Sequence, residues 1–230
     1  MSQKSNKNPV QLKPLDDIRR GVYVSEILFL SKAIMRNAER LFSEMNSEAL
    51  IQMDNELPYL ASSISIDAAR IGKIINNKRP MDSRYETKSQ FEFRVRRVEM
   101  FQATIKELGI TEMLGSSVRN SLEHFDEHAD KFLQDKQPDD KREIRYVLSQ
   151  NICVWTVEDY QKYLDEAKLD KKNHISWIRC YVGSEKALYT LQGKINIQKI
   201  YDEAVALNKN LMFPGYKPED RAQGISIALL

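Results

Sequence analysis

Six consecutive residues carry the chemistry in this chain: Arg119-Asn120-Ser121-Leu122-Glu123-His124, an R-N-x-x-x-H pattern. An imidazole moves protons near neutral pH. A guanidinium stays charged and clamps phosphate oxygens with a planar fork of donors. Asn120 can bond a phosphate or orient the histidine. Cleaving RNA without a metal needs those services, because the 2′-hydroxyl must lose its proton while charge builds on phosphorus. His124, Arg119 and Asn120 are therefore the candidate catalytic residues, with Glu123 and His128 in support.

The elements around the motif must position it. Val118, Leu122, Phe125, Ala129 and Phe132 form an apolar stripe at helical spacing, with Ser116 or Ser117 as the cap. At roughly 100° per residue, Arg119 lies about 100° to one side of that stripe and His124 about 120° to the other. The two meet poorly on one helix. A second copy of the same helix across the solvent face would bring two arginines and two histidines together, as a self-complementary interface does. If the pair forms a ribonuclease site, a homodimer is expected.

The motif resembles the signature of HEPN domains, helical bundles that often dimerise and many of which are metal-independent ribonucleases. The resemblance implies that Arg119 and His124 are the catalytic pair, that Asn120 is the polar residue that often follows the arginine, and that RNA is the substrate. It implies no cofactor, and a role in bacterial defence or stress. One subgroup of the family places a tyrosine two residues after the histidine. Asp126 stands there instead, which separates this chain from that subgroup's antitoxin pairing with a nucleotidyltransferase. The alternative implied by the resemblance is a non-catalytic, dimerising or nucleotide- or RNA-binding module.

Other chemistry is thinner. His124 and His128 are one helical turn apart beside Glu127, a spacing that can hold a metal. There is no H-E-x-x-H run, and His174 lies in another segment, so no metal is expected. Arg94, Arg96, Arg97 and Lys88 make a basic stretch. Arg94 and Arg97 are candidate RNA-binding residues, although Glu92 and Glu99 interrupt the run and a solvated helix face is the simpler account.

Three further apolar stripes precede the motif. Val24 to Met45 recurs at three- and four-residue steps, marking a helix over about 16–46. Met53 to Ile75 forms a second stripe with Pro58 inside it, a residue that kinks or splits a helix. Phe91 to Leu108 forms the third, stopped by Gly109. Short connections between four stripes predict an antiparallel up-and-down bundle over residues 15–137. Residues 1–14, rich in Ser, Asn, Gln and Lys, are expected to be a disordered arm.

The texture changes after Pro138. A β-branched and aromatic run over 144–154 is followed by a short helical stretch from Thr156, its cap, to Ala167. Ile175–Val182 and Ala187–Leu191 around Gly183-Ser184-Glu185-Lys186 predict a hairpin, with Trp177 and Tyr181 in its core. Residues 195–211 look helical. Residues 138–230 are thus expected to form a small α+β extension, and the fold class is mainly α.

Bulk composition limits the alternatives. Apolar residues are 42% and charged residues 30%, as in a globular chain. The 35 basic and 33 acidic side chains leave +2, so nucleic-acid binding would need a local patch. Cys153 and Cys180 sit in apolar strand-like runs outside any C-x-x-C, which predicts buried thiols and a reducing compartment. With no apolar leader and no run near the ~20 apolar residues of a membrane helix, the cytoplasm is the expected location.

Overall fold

A computed structural model describes residues 17–45, 51–52, 56–115, 125–135, 146–166 and 174–211. Within them the chain is mainly helical with one mixed sheet. The first stripe becomes α1 (Asp17–Glu44), and its three- and four-residue spacing puts Val24, Ile27, Leu30, Ile34, Ala38 and Leu41 in the core. The second becomes α2 (Glu56–Asn76). Pro58 neither kinks nor splits it. The helix starts at Glu56, so the proline falls in the first turn, where its missing N–H has no intrahelical acceptor to lose. Asn37 donates to Ser63 (3.2 Å) and Arg40 pairs with Glu56 (2.5 Å), contacts whose opposite progression along the chain marks α1 and α2 as antiparallel neighbours.

The third stripe is α3 (Lys88–Leu108). Its start is fixed by a reciprocal cap in which Thr87 Oγ1 accepts from Gln90 N and Gln90 Oε1 accepts from Thr87 N. Gly109 ends it at φ +64°, a left-handed conformation that costs glycine nothing, and donates its N–H to the Ile105 carbonyl. After an interval outside the described residues comes α4 (Phe125–Asp135).

The remaining elements are β1 (Ile51–Gln52), β2 (Tyr146–Val154), α5 (Val157–Glu166), β3 (His174–Val182), β4 (Ala187–Thr190), β5 (Gly193–Asn196) and α6 (Ile197–Asn210). The sheet runs β1-β2-β3-β4-β5. Strands β2 and β3 are parallel, joined by α5 as crossover, and the other pairings are antiparallel. The expected hairpin is β3–β4. Strand β5 extends it, and helix α6 starts two residues later than its apolar pattern, at Ile197, because Ile195 is spent on the sheet. The register of β2 slips around Asn151, whose φ of 55° is one that asparagine tolerates; its side chain accepts from Arg179 (3.2 Å).

Strand alternation gives the sheet two apolar faces. Cys153, Tyr181, Leu188 and Ile195 join the core of α1, α2 and α6. Ile152, Val154, Cys180 and Val182 pack under α5 against Tyr160 and Leu164, with Trp177 and Tyr189 partly buried beside them. Both thiols are buried, on opposite faces of neighbouring strands, so the sheet itself keeps them apart. Burial pushes the Cys180 thiol well above its ordinary range, which makes it a poor nucleophile.

Helix α6 packs along α1 and also touches α2 and α3. The boundary expected near residue 138 therefore separates two textures whose apolar side chains share one core. Among the described residues no helix is long and apolar enough to cross a membrane.

Candidate functional site

Arg119, Asn120, Glu123 and His124 lie outside the described residues, which frame them from both sides. Upstream, the chain leaves α3 through a turn over residues 109–115. Downstream, α4 begins at Phe125, the residue after His124, and carries His128 half-buried on its first turn.

The upstream turn is fixed by one side chain from α6. Glu203 is 5% exposed, and its carboxylate accepts three consecutive backbone N–H groups: Thr111 (2.7 Å) and Glu112 (2.7 Å) on Oε1, and Met113 (2.9 Å) on Oε2. The Thr111 hydroxyl adds a fourth contact at 3.3 Å. Three converging N–H donors are a preformed anion site, here filled internally. Glu112 answers from the turn: its Oε1 accepts the N–H of Asn196, the residue that caps α6 through Lys199 N. Ile110 and Met113 are buried beneath. A β-carbon at Gly72 on α2 would lie 2.3 Å from the Met113 carbonyl oxygen, so the glycine is what lets the turn seat on the helix. The turn closes with Gly115 donating to Glu112 O (2.9 Å), four residues before Arg119.

Sequence reading missed this clamp. A lone glutamate in a helical stripe carries no mark of a partner some 90 residues away. One trace existed: Glu203 stands among Ile200, Ala204 and Leu207, on the face that α6 buries.

The two arginines read as RNA-binding candidates have specific surroundings. Arg94 points inward, 6% exposed. It donates through Nε and Nη2 to the Glu86 carboxylate (3.1 and 2.6 Å), and through Nη1 to the carbonyls of Asn77 (2.8 Å) and Arg79 (3.0 Å). Its planar fork thus ties the end of α2 to the start of α3. Arg97 donates to the carbonyls of Ile74 (3.0 Å) and Lys73 (3.4 Å) in the last turn of α2, where a cation complements the helix dipole. Its guanidinium lies 5.1 Å from the Tyr23 ring centroid.

Hydrogen bonds from Arg94 hold the Glu86 carboxyl below its ordinary value of 4.5. A depressed carboxylate stabilises the fold fully above that value, and the contribution is lost as pH falls through the lower folded value. Wild type is expected to lose thermal stability on acidification from about pH 5 to pH 3. Glu86→Gln should be less stable at pH 7 and flatter across that window. Melting curves followed by circular dichroism at half-unit pH steps will check this; parallel curves would show that Glu86 does not carry the acid sensitivity.

Comparison of the chain with protein-family models, curated proteins and solved structures finds no match.

Proposed function

We propose that the chain is a HEPN-like, metal-independent endoribonuclease working as a homodimer, with Arg119 and His124 as its catalytic pair. The observation that carries the reading is the R-N-x-x-x-H run itself. Its setting supports it, since a clamped turn ends four residues before the arginine and a helix starts one residue after the histidine. The antiparallel packing of α1 on α2, and of α2 on α3 through the Arg94 and Arg97 contacts, supports a bundle in which the motif helix is the fourth member.

In this reading one His124 takes the proton of a 2′-hydroxyl. The 2′-oxygen attacks phosphorus and the bond to the 5′-oxygen breaks. The imidazolium so formed gives that proton to the leaving 5′-oxygen. Arg119 forks onto the non-bridging oxygens as their charge rises, and Asn120 holds the phosphate in line. The products are a 2′,3′-cyclic phosphate and a 5′-hydroxyl.

The test is to incubate wild type and His124→Ala with mixed cellular RNA in EDTA. Wild type should cleave and the variant should not. An inactive, folded wild-type dimer would point to the non-catalytic RNA-binding module.

Dimer composition gives a sharper prediction. Arg119→Ala and His124→Ala homodimers should each be inactive. Mixed and re-equilibrated one to one, half the dimers become mixed and each holds one intact site made across the interface. About a quarter of wild-type cleavage should return. No recovery, with subunit exchange shown by fluorescence transfer, would place both residues in one subunit.

A further inference from the structure

Beside α3 lies a groove whose chemistry neither the clamp nor the motif uses. It has a volume of about 420 Å³ and is lined by Tyr85, Ser89, Gln90, Phe93 and Arg97, with the Glu86–Arg94 pair in its wall. That volume falls within the range of about 300–1,000 Å³ typical of ligand sites. Tyr85 is 72% exposed, a large ring face left in water. Phe93, also in the lining, is half-buried and tilted against Tyr23 of α1 with centroids 6.5 Å apart. Arg19 of α1 and Arg96 of α3 lie 5.8 and 5.9 Å from the Phe93 centroid.

The charge balance of this face is one-sided. Among the described residues Arg96 and Arg97 form no ion pair: Arg96 donates only to the Glu92 carbonyl (3.4 Å), and Arg97 to the α2 carbonyls. The carboxylate in the wall, Glu86, is already held by two Arg94 nitrogens. Glu92 faces Lys88 at 3.9 Å. Asp82 is taken by Arg84, whose guanidinium lies over the Tyr85 ring. A partner that brings its own anions meets guanidinium charge here, and one that brings flat rings meets Tyr85. A chain of phosphates carrying bases has both in alternation.

We infer that this groove beside α3 binds single-stranded RNA, with Arg96 and Arg97 along the phosphates and Tyr85 stacking a base. The inference rests on the reading of RNA as substrate and gives that substrate a second hold, away from the cleavage motif. Arg94 serves the groove only by neutralising Glu86. Arg96, half-exposed one turn along from Glu92, is the phosphate contact to test.

Binding is measured in the full-length His124→Ala background, so that the probe stays intact. The probe is a 5′-fluorescein 12-mer oligouridylate, followed by anisotropy at several salt concentrations. Arg96→Ala should weaken binding about tenfold and reduce the slope of log affinity against log salt by about 0.7, the loss of one phosphate contact. Arg96→Lys should restore the slope. Tyr85→Ala should weaken binding about tenfold with the slope unchanged, as loss of a stacked base does. Equal binding by all four proteins would overturn the groove, as would polyglutamate binding as tightly as the oligonucleotide, which would assign the face to an acidic polypeptide. The two readings fail separately. If wild type cleaves RNA while Arg96→Ala and Tyr85→Ala bind and cut like wild type, the groove is wrong and the ribonuclease stands. If the groove variants lose binding while wild type never cleaves, the ribonuclease is wrong and the groove stands.

Discussion

His124→Ala is expected to lower kcat/KM for RNA cleavage about a thousandfold at neutral pH, with the melting temperature within a few degrees of wild type. The size follows from what the imidazole does. Without it, water must take the 2′-hydroxyl proton and supply the one for the leaving oxygen, and positioned general acid–base groups contribute about 10²–10⁴-fold. The small effect on stability follows from position, because residue 124 falls outside the apolar periodicity of the sequence there. Arg119→Ala should fall by a similar factor for another reason, loss of charge stabilisation on the phosphorane, worth about 10²–10³-fold per donor. Arg119→Lys should recover little, since an ammonium is a point charge and lacks the fork. The pH profiles will separate the roles: Arg119→Ala should keep the limb that comes from imidazole titration, and His124→Ala should lose it. A His124→Ala enzyme cutting at a tenth of the wild-type rate would remove the imidazole from the mechanism.

Glu203→Ala is expected to be the most damaging single change outside the motif, at about 4 kcal/mol, or about 10 °C in melting temperature. It strands the buried N–H of Met113 and the partly buried N–H groups of Thr111 and Glu112, and a buried donor left without an acceptor costs about 1–3 kcal/mol. Glu203→Gln should recover only part. Its carbonyl oxygen can accept from Thr111 and Glu112, but its amide then points a donor at the Met113 N–H. Urea unfolding of the three proteins gives the order directly. The variants carry a second expectation. Below their melting temperatures both should cleave RNA more slowly than wild type, because the turn that starts the motif segment has lost its anchor. A loss under 1 kcal/mol in Glu203→Ala would show that the turn holds without α6.

The long helices were legible in the sequence because three- and four-residue periodicity is a local signal. It placed α1 and α3, and Gly109 and Thr156 marked a helix end and a helix start through their own backbone and hydroxyl chemistry. The β3–β4 hairpin was legible for the same reason. What escaped depends on partners distant in the chain. Ile51-Gln52 is a strand only because Cys153 and Val154 lie beside it. Gly193–Asn196 is a strand only because β4 offers its edge. Periodicity showed that α6 has an apolar face without showing that α1 covers it. The charge run on α3 read as an interrupted basic stretch on a solvated face, yet one of its arginines turns in to meet Glu86 and another caps α2. Alternating signs along a helix do not say which side chain finds a buried acceptor.

The most direct measurement uses an oligonucleotide that is DNA except for one ribonucleotide, end-labelled and incubated with the wild-type protein in EDTA. Cleavage only on the 3′ side of that ribonucleotide, leaving a 2′,3′-cyclic phosphate, is the result predicted for attack by a 2′-oxygen under Arg119 and His124. Equal cleavage of the all-deoxy strand, or cleavage that EDTA abolishes, would contradict it.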